Sequence, residues 1–180
     1  MSSTFDAATV SVAPAVASAC RSADSSTGFG LYLHVPFCAS RCGYCDFNTY
    51  TAGELGSSAS PASWHEAVAR ELDIAAAVLT PTRPVSTIFV GGGTPSLLGA
   101  TGLTRLLDDV RRSFDLAPGA EVTTESNPES TSPEFFAGLR EAGYTRISLG
   151  MQSAAQHVLA VLDRRHTPGR AVAAARDRRL

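Results

Sequence analysis

The 180-residue sequence has no apolar run long enough to cross a bilayer as a helix, so a helical membrane protein is not expected. It has no excess of one charge either. Its 15 basic and 17 acidic residues leave a net charge of −2, which gives no electrostatic footprint for nucleic acid. The first 27 residues lack a basic start, Arg21 being the first cation, and they lack a sustained apolar block, so a cleavable export signal is not expected. Cysteine is scarce, at four residues, and a disulfide-stapled secreted scaffold is not the natural reading. Thiols clustered in a chain without an export signal point instead to a reduced compartment and a metal, and a cytoplasmic location is the expectation. Two common phosphate-binding patterns are also missing. No Gly-Lys-Ser/Thr follows Gly91-Gly-Gly, which excludes a P-loop, and Pro95-Ser96 breaks the spacing of a dinucleotide fingerprint.

What is present divides in two. Residues 1–28, rich in Ala, Ser, Thr and Val, are expected to be a disordered tail carrying Cys20. Residues 29–180 alternate strands with helices. Gly30 to Val35 reads as a strand ended by Pro36, and Val85 to Val90 as a second, β-branched one. Glu121 to Glu125 is the third, after a turn at Pro118-Gly119, and Tyr144 to Leu149 the fourth. Ser60-Pro61 and Ser132-Pro133 have the form of a helix cap followed by a first-turn proline. Trp64, Val68, Leu72 and Leu79 make one helical stripe; Leu103, Leu106, Leu107, Val110 and Phe114 make another; Phe135, Phe136 and Leu139 make a third. A short helical segment is expected around Ala154 to Leu162. A last helix opens at Thr167-Pro168 and runs to Leu180, its cluster of Arg170, Arg176, Arg178 and Arg179 expected on a solvated face.

Such alternation predicts an α/β fold with a parallel sheet of right-handed βαβ units. Every unusual polar or glycine-rich stretch directly follows a strand. Sites in parallel α/β folds assemble at the carboxyl ends of strands, so these distant stretches are expected to meet. One is Cys38-Ala-Ser-Arg-Cys42-Gly-Tyr-Cys45. Three thiols so close can converge on one inorganic centre. A structural zinc site wants four ligands, and Cys20 or His34 would have to complete it. A cubane iron–sulfur cluster held by three thiolates instead leaves one iron open to a small molecule.

The C-x3-C-x2-C spacing, with Tyr32-Leu-His-Val-Pro-Phe-Cys38, Gly91-Gly-Gly-Thr-Pro95 and Gly150-Met-Gln-Ser153, resembles the oxygen-independent coproporphyrinogen III oxidase family of radical S-adenosylmethionine (SAM) proteins, in its HemW-like heme-chaperone branch. The resemblance runs from about Gly30 to the C-terminus. It implies a partial (βα) barrel, here apparently truncated because about four of six strands are present. It implies a [4Fe-4S] cluster on Cys38, Cys42 and Cys45, with SAM chelating the fourth iron and cleaved by an electron from the reduced cluster. It carries SAM contacts over to Tyr32, Tyr44, Gly92, Gly93, Thr94, Glu125, Gln152 and Arg164. On the residues alone, Tyr32 could equally be core, and three glycines after a strand could make only a tight turn. The true oxidases carry a further cysteine two positions after the third ligand, where this chain has Phe47. That favours a chaperone with heme as cargo, passed to acceptor proteins, and an electron donor for the cluster. Oxidative decarboxylation of coproporphyrinogen and an inactive metal-binding fragment are the alternatives.

Overall fold

The computed structural model describes residues 18, 28–51, 54, 60–79, 83–164 and 167–177. The expected tail with Cys20, His166 and the Arg178–Arg179 end of the last helix lie outside the described residues.

A four-stranded parallel sheet carries the molecule: β1 (Phe29–Val35), β4 (Val85–Gly92), β5 (Leu116–Ser126) and β6 (Arg146–Leu149), neighbours in that order. Two two-residue strands, β2 (Phe37–Cys38) and β3 (Tyr50–Thr51), pair in parallel beside it and pin the two ends of the cysteine loop together. The strand order never reverses, as it would in a doubly wound sheet, so the sheet winds in one sense like part of a (βα) barrel.

Helix α1 (Pro61–Val78) starts at Ser60, whose hydroxyl accepts from the Ser63 N–H while Ser63 Oγ accepts from the Ser60 N–H, a reciprocal cap. Helix α2 (Gly99–Ser113) follows a 3-10 turn at Pro95–Leu98. Helix α3 (Pro133–Ala142) is capped by Ser132 and ends at Gly143, whose φ of 104° is the left-handed conformation that glycine adopts without cost. The short helices α4 (Gln156–Val161) and α5 (Arg170–Asp177) complete the order.

The apolar stripes fall where the periodicity puts them. Leu103, Leu106, Leu107 and Val110 of α2, with Leu139 of α3, are almost wholly buried against Val35, Val85, Ile88, Val90 and Val122 of the sheet. Register then fixes the opposite face. Leu33 stands beside Val90 and Ile88 beside Val122, so the alternate row, Tyr32, Phe89 and Thr123, lies on the side away from this helix layer. His34 continues that row opposite Gly91. One period-2 pattern thus sends the aliphatic core one way and the row ending at His34 the other.

Three expectations are corrected. Pro118-Gly119 is not a turn before a strand but part of β5, where the register steps from Val85↔Leu116 to Thr87↔Glu121 and residues 117–120 bulge out. The fourth strand begins at Arg146 rather than Tyr144, because the Tyr144 side chain is buried and its hydroxyl donates to the Leu103 carbonyl at 2.8 Å. Arg170 does not sit on a solvated face: it donates to the Thr131 carbonyl and pairs with Asp177 at 3.3 Å.

Candidate cofactor site

The cysteine loop leaves β1 at Pro36 and returns at Tyr50. Its backbone is tied at both ends, with Tyr50 N–H donating to the Pro36 carbonyl at 2.7 Å and Thr94 N–H to the Phe37 carbonyl at 2.7 Å. Side chains do the rest. Arg41 donates to the Thr49 carbonyl at 3.0 Å, and His34 Nε2 lies 2.8 Å from the Asn48 carbonyl. A carbonyl can only accept, so Nε2 donates to it, while Nδ1 shares a hydrogen bond with the Tyr32 hydroxyl at 3.0 Å. Both nitrogens of His34 are therefore engaged, which argues against the zinc alternative with His34 as fourth ligand.

Glycines set the depth at which the second loop meets the first. A Cβ on Gly93 would run into the Phe37 carbonyl and lie 3.0 Å from Cys38 Sγ. Gly92, at φ 115°, would place a Cβ 2.7 Å from the His34 ring. Close approach is thus required by the chain's own loop. The N–H groups of the loop are spent internally: Gly92 donates to Glu125 Oε2 at 3.1 Å, Gly93 to the Val35 carbonyl and Thr94 to the Phe37 carbonyl. These three N–H groups are thus not available to an anion, and the Thr94 hydroxyl, 4.0 Å from Cys38 Sγ, is the side-chain donor of the loop.

The third and fourth loops close the site. Ser96 accepts from the Asn127 N–H at 3.0 Å and shares a hydrogen bond with Ser130 at 2.6 Å, joining the loops after β4 and β5. Gly43 N–H donates to the Leu162 carbonyl at 3.2 Å, and Arg164 Nη1 donates to Cys42 Sγ at 3.2 Å. Gln152 has φ 59°, in the left-handed region unusual for a side-chain-bearing residue. A cavity of about 330 Å³ results. Cys38, Cys42, Cys45, Tyr44, Gly92, Gly93, Thr94, Glu125, Gln152 and Arg164 all line it. Tyr32 does not: it stacks on Phe89 at 6.2 Å and reaches the site through His34. Burial, then the nearby Glu125 carboxylate, raises its pKa above the ordinary tyrosine value.

A model of the radical SAM superfamily matches residues 32–179. The chain belongs to the radical SAM superfamily. It is 65% identical over 150 residues to the heme chaperone HemW of Mycobacterium tuberculosis (strain ATCC 25618 / H37Rv), covering 83% of this chain and 38% of that protein. HemW of Escherichia coli (strain K12) is 40% identical over 147 residues, with 81% of this chain and 38% of the relative covered. The mitochondrial radical S-adenosyl methionine domain-containing protein 1 of Bos taurus is 36% identical over 149 residues, 81% of this chain and 32% of its own length. The chain therefore spans under two-fifths of the length of these curated relatives. Among solved structures, the radical SAM enzyme coproporphyrinogen III oxidase (HemN) from Escherichia coli matches with a TM-score of 0.79 at 24% identity, over 92% of this chain and 37% of that one, and supports the partial-barrel fold.

Membership of the radical SAM superfamily implies a [4Fe-4S] cluster and SAM, and the donor set fits both. Three unbridged, half-buried cysteines open on one cavity, beside a glycine loop whose backbone N–H groups are already engaged. Among the described residues no three His, Cys, Asp or Glu side chains are gathered as a single metal ion requires. A cubane spreads its thiolates to separate corners and needs no such gathering. Two features were not anticipated from sequence. Ser126 Oγ is buried in the cavity wall without a protein hydrogen-bond partner, and Asp163 has φ 48° beside the cysteine loop. A serine next to a strand-end glutamate gave no signal in one sequence; the Leu162–Gly43 contact, 119 positions apart, could not.

Proposed function

We propose that this chain is the cluster- and SAM-binding part of a heme chaperone, a cytoplasmic protein that takes heme or a related porphyrin as cargo and passes it to acceptor proteins. Cys38, Cys42 and Cys45 would hold three irons of the [4Fe-4S] cluster. The observation that carries the reading is that the three cysteines marked by their spacing and seven of the residues carried over by the resemblance, far apart in sequence, line one cavity at the strands' carboxyl ends.

When bound, the cluster and SAM supply a site where one electron from an external donor can be delivered to a sulfonium. The chain's own residues do the positioning. Gly92, Gly93 and Thr94 would face the SAM amino group, their backbone N–H groups being already engaged. Glu125, fixed by Gly92, would accept from ribose hydroxyls. Tyr44, 45% exposed between two ligands, would cover the adenine and shield the cluster. Gln152 and Arg164 would complete the SAM contacts, with Tyr32 held in place by His34.

Similarity to HemW at 65% identity supports the chaperone over the oxidase reading, and Phe47 supports it independently. Phe47 is 60% exposed and lines the cavity where the oxidases place a cysteine. Hemin titration followed in the Soret band tests the cargo. A saturable shift is expected of the protein carrying the full length seen in its relatives, and none would remove the chaperone role. Anaerobic formation of protoporphyrinogen by that same protein would favour the oxidase instead.

A further inference from the structure

We propose that Arg164 tunes the one-electron couple of the centre held by Cys38, Cys42 and Cys45, through its hydrogen bond to the Cys42 sulfur. The proposal rests on the cluster reading above and adds a role to a residue otherwise assigned to SAM.

Arg164 comes from the segment after α4, 122 positions from Cys42, yet its Nη1 donates to Cys42 Sγ at 3.2 Å. The segment is built to bring it there. Gly43 N–H, next to Cys42, donates to the Leu162 carbonyl at 3.2 Å. The Asp163 side chain lies directly over Gly43, its carboxylate 2.9 Å from where a Cβ would stand. Asp163 itself takes φ 48°, and Arg164 N–H closes the turn on the Leu159 carbonyl at 2.9 Å. A left-handed non-glycine residue costs free energy and persists where the surroundings hold it. Here it turns the next residue onto the sulfur.

The guanidinium is half-buried and lines the same cavity. Its planar fork of donors can keep one N–H on sulfur while others serve further partners. A charged donor on a ligand sulfur stabilises the more negative, reduced form of an iron–sulfur centre and raises its potential. In that couple one electron enters the cluster from an external reductant, and no bond at Arg164 is made or broken.

An EPR-monitored redox titration of the reconstituted 180-residue chain, with dithionite as reductant and SAM absent, tests this on the parent, Arg164→Gln and Arg164→Lys. The expected result is equal iron content in all three, a midpoint more negative in Arg164→Gln, and a smaller shift in the same direction in Arg164→Lys. An Arg164→Gln midpoint equal to the parent's would overturn the proposal. Loss of the cluster from both variants would overturn it too, making Arg164 an assembly residue. No cluster in the parent would overturn instead the cofactor reading on which the proposal stands.

Discussion

The helix–sheet layer and the cysteine loop are held by different physics. Between α2, α3 and the sheet, large apolar side chains are buried almost without remainder, and burial of each contributes roughly 1.5–3 kcal/mol. Residues 39–48 contain no buried side chain at all; the loop hangs on hydrogen bonds from His34, Arg41, Gly43 and Thr94 and on the two-residue pairing of β2 with β3. Net contributions of such bonds are about 1 kcal/mol each. The layer rests on apolar burial, whereas the loop is polar chain held by hydrogen bonds, the kind of segment that binding a cofactor stabilises most.

The largest effect expected from breaking this division is in the layer. Leu106→Ala should cost about 2–5 kcal/mol of stability, read from denaturant unfolding, because the side chain is wholly buried and its neighbours come from rigid elements. Gly93→Ala should do the reverse. Its Cβ meets the Phe37 carbonyl and Cys38 Sγ, so iron uptake on reconstitution should fall well below the ~4 per chain of a cubane, while the far-UV melt of the metal-free protein moves little. If Gly93→Ala instead unfolds the layer, the two regions are not separable. Ser132→Ala, which removes the cap of α3 on the layer side, should cost about 1 kcal/mol and leave iron uptake unchanged.

The smallest effect expected is one of pH. His65 of α1 is buried edge-on against Trp64, and burial first, then Arg105, holds its pKa below the ordinary histidine value, with Asp109 opposing. A folded pKa below the unfolded one means the unfolded chain takes up the proton first. The contribution is therefore present above about pH 6.5 and is lost as pH falls through the folded value. Melting temperature should drop over that window in the parent and drop less in His65→Leu.

How much of this was legible in the sequence follows the same line. The layer was legible because periodicity and caps are local: Leu103, Leu106, Leu107 and Val110 at helical spacing, and Ser60-Pro61 and Ser132-Pro133 at helix starts, lie where they were expected. Its misreadings were local signals overridden by pairing. Pro118-Gly119 has turn chemistry, but β4 continues alongside and makes it a bulge. Tyr144 has strand propensity, but burial of its ring and the hydrogen bond to Leu103 set its place. At the site, spacing alone marked Cys38, Cys42 and Cys45, and the rule that loops after parallel strands converge put Gly92, Glu125 and Gln152 beside them. The latch between Gly43 and residues 162–164, the buried Ser126 hydroxyl and the role of His34 as a brace depend on contacts across the fold, which no single stretch of sequence carries.

The central claim is that one cavity holds both the cluster and SAM. Anaerobic iron–sulfur reconstitution of the chain, followed by EPR of the reduced protein with and without SAM, tests it most directly. The account predicts a cubane signal whose shape changes when SAM is added, because the open iron and the pocket beside it are both in place. A cubane signal indifferent to SAM, or zinc retained with no cluster formed, would contradict it.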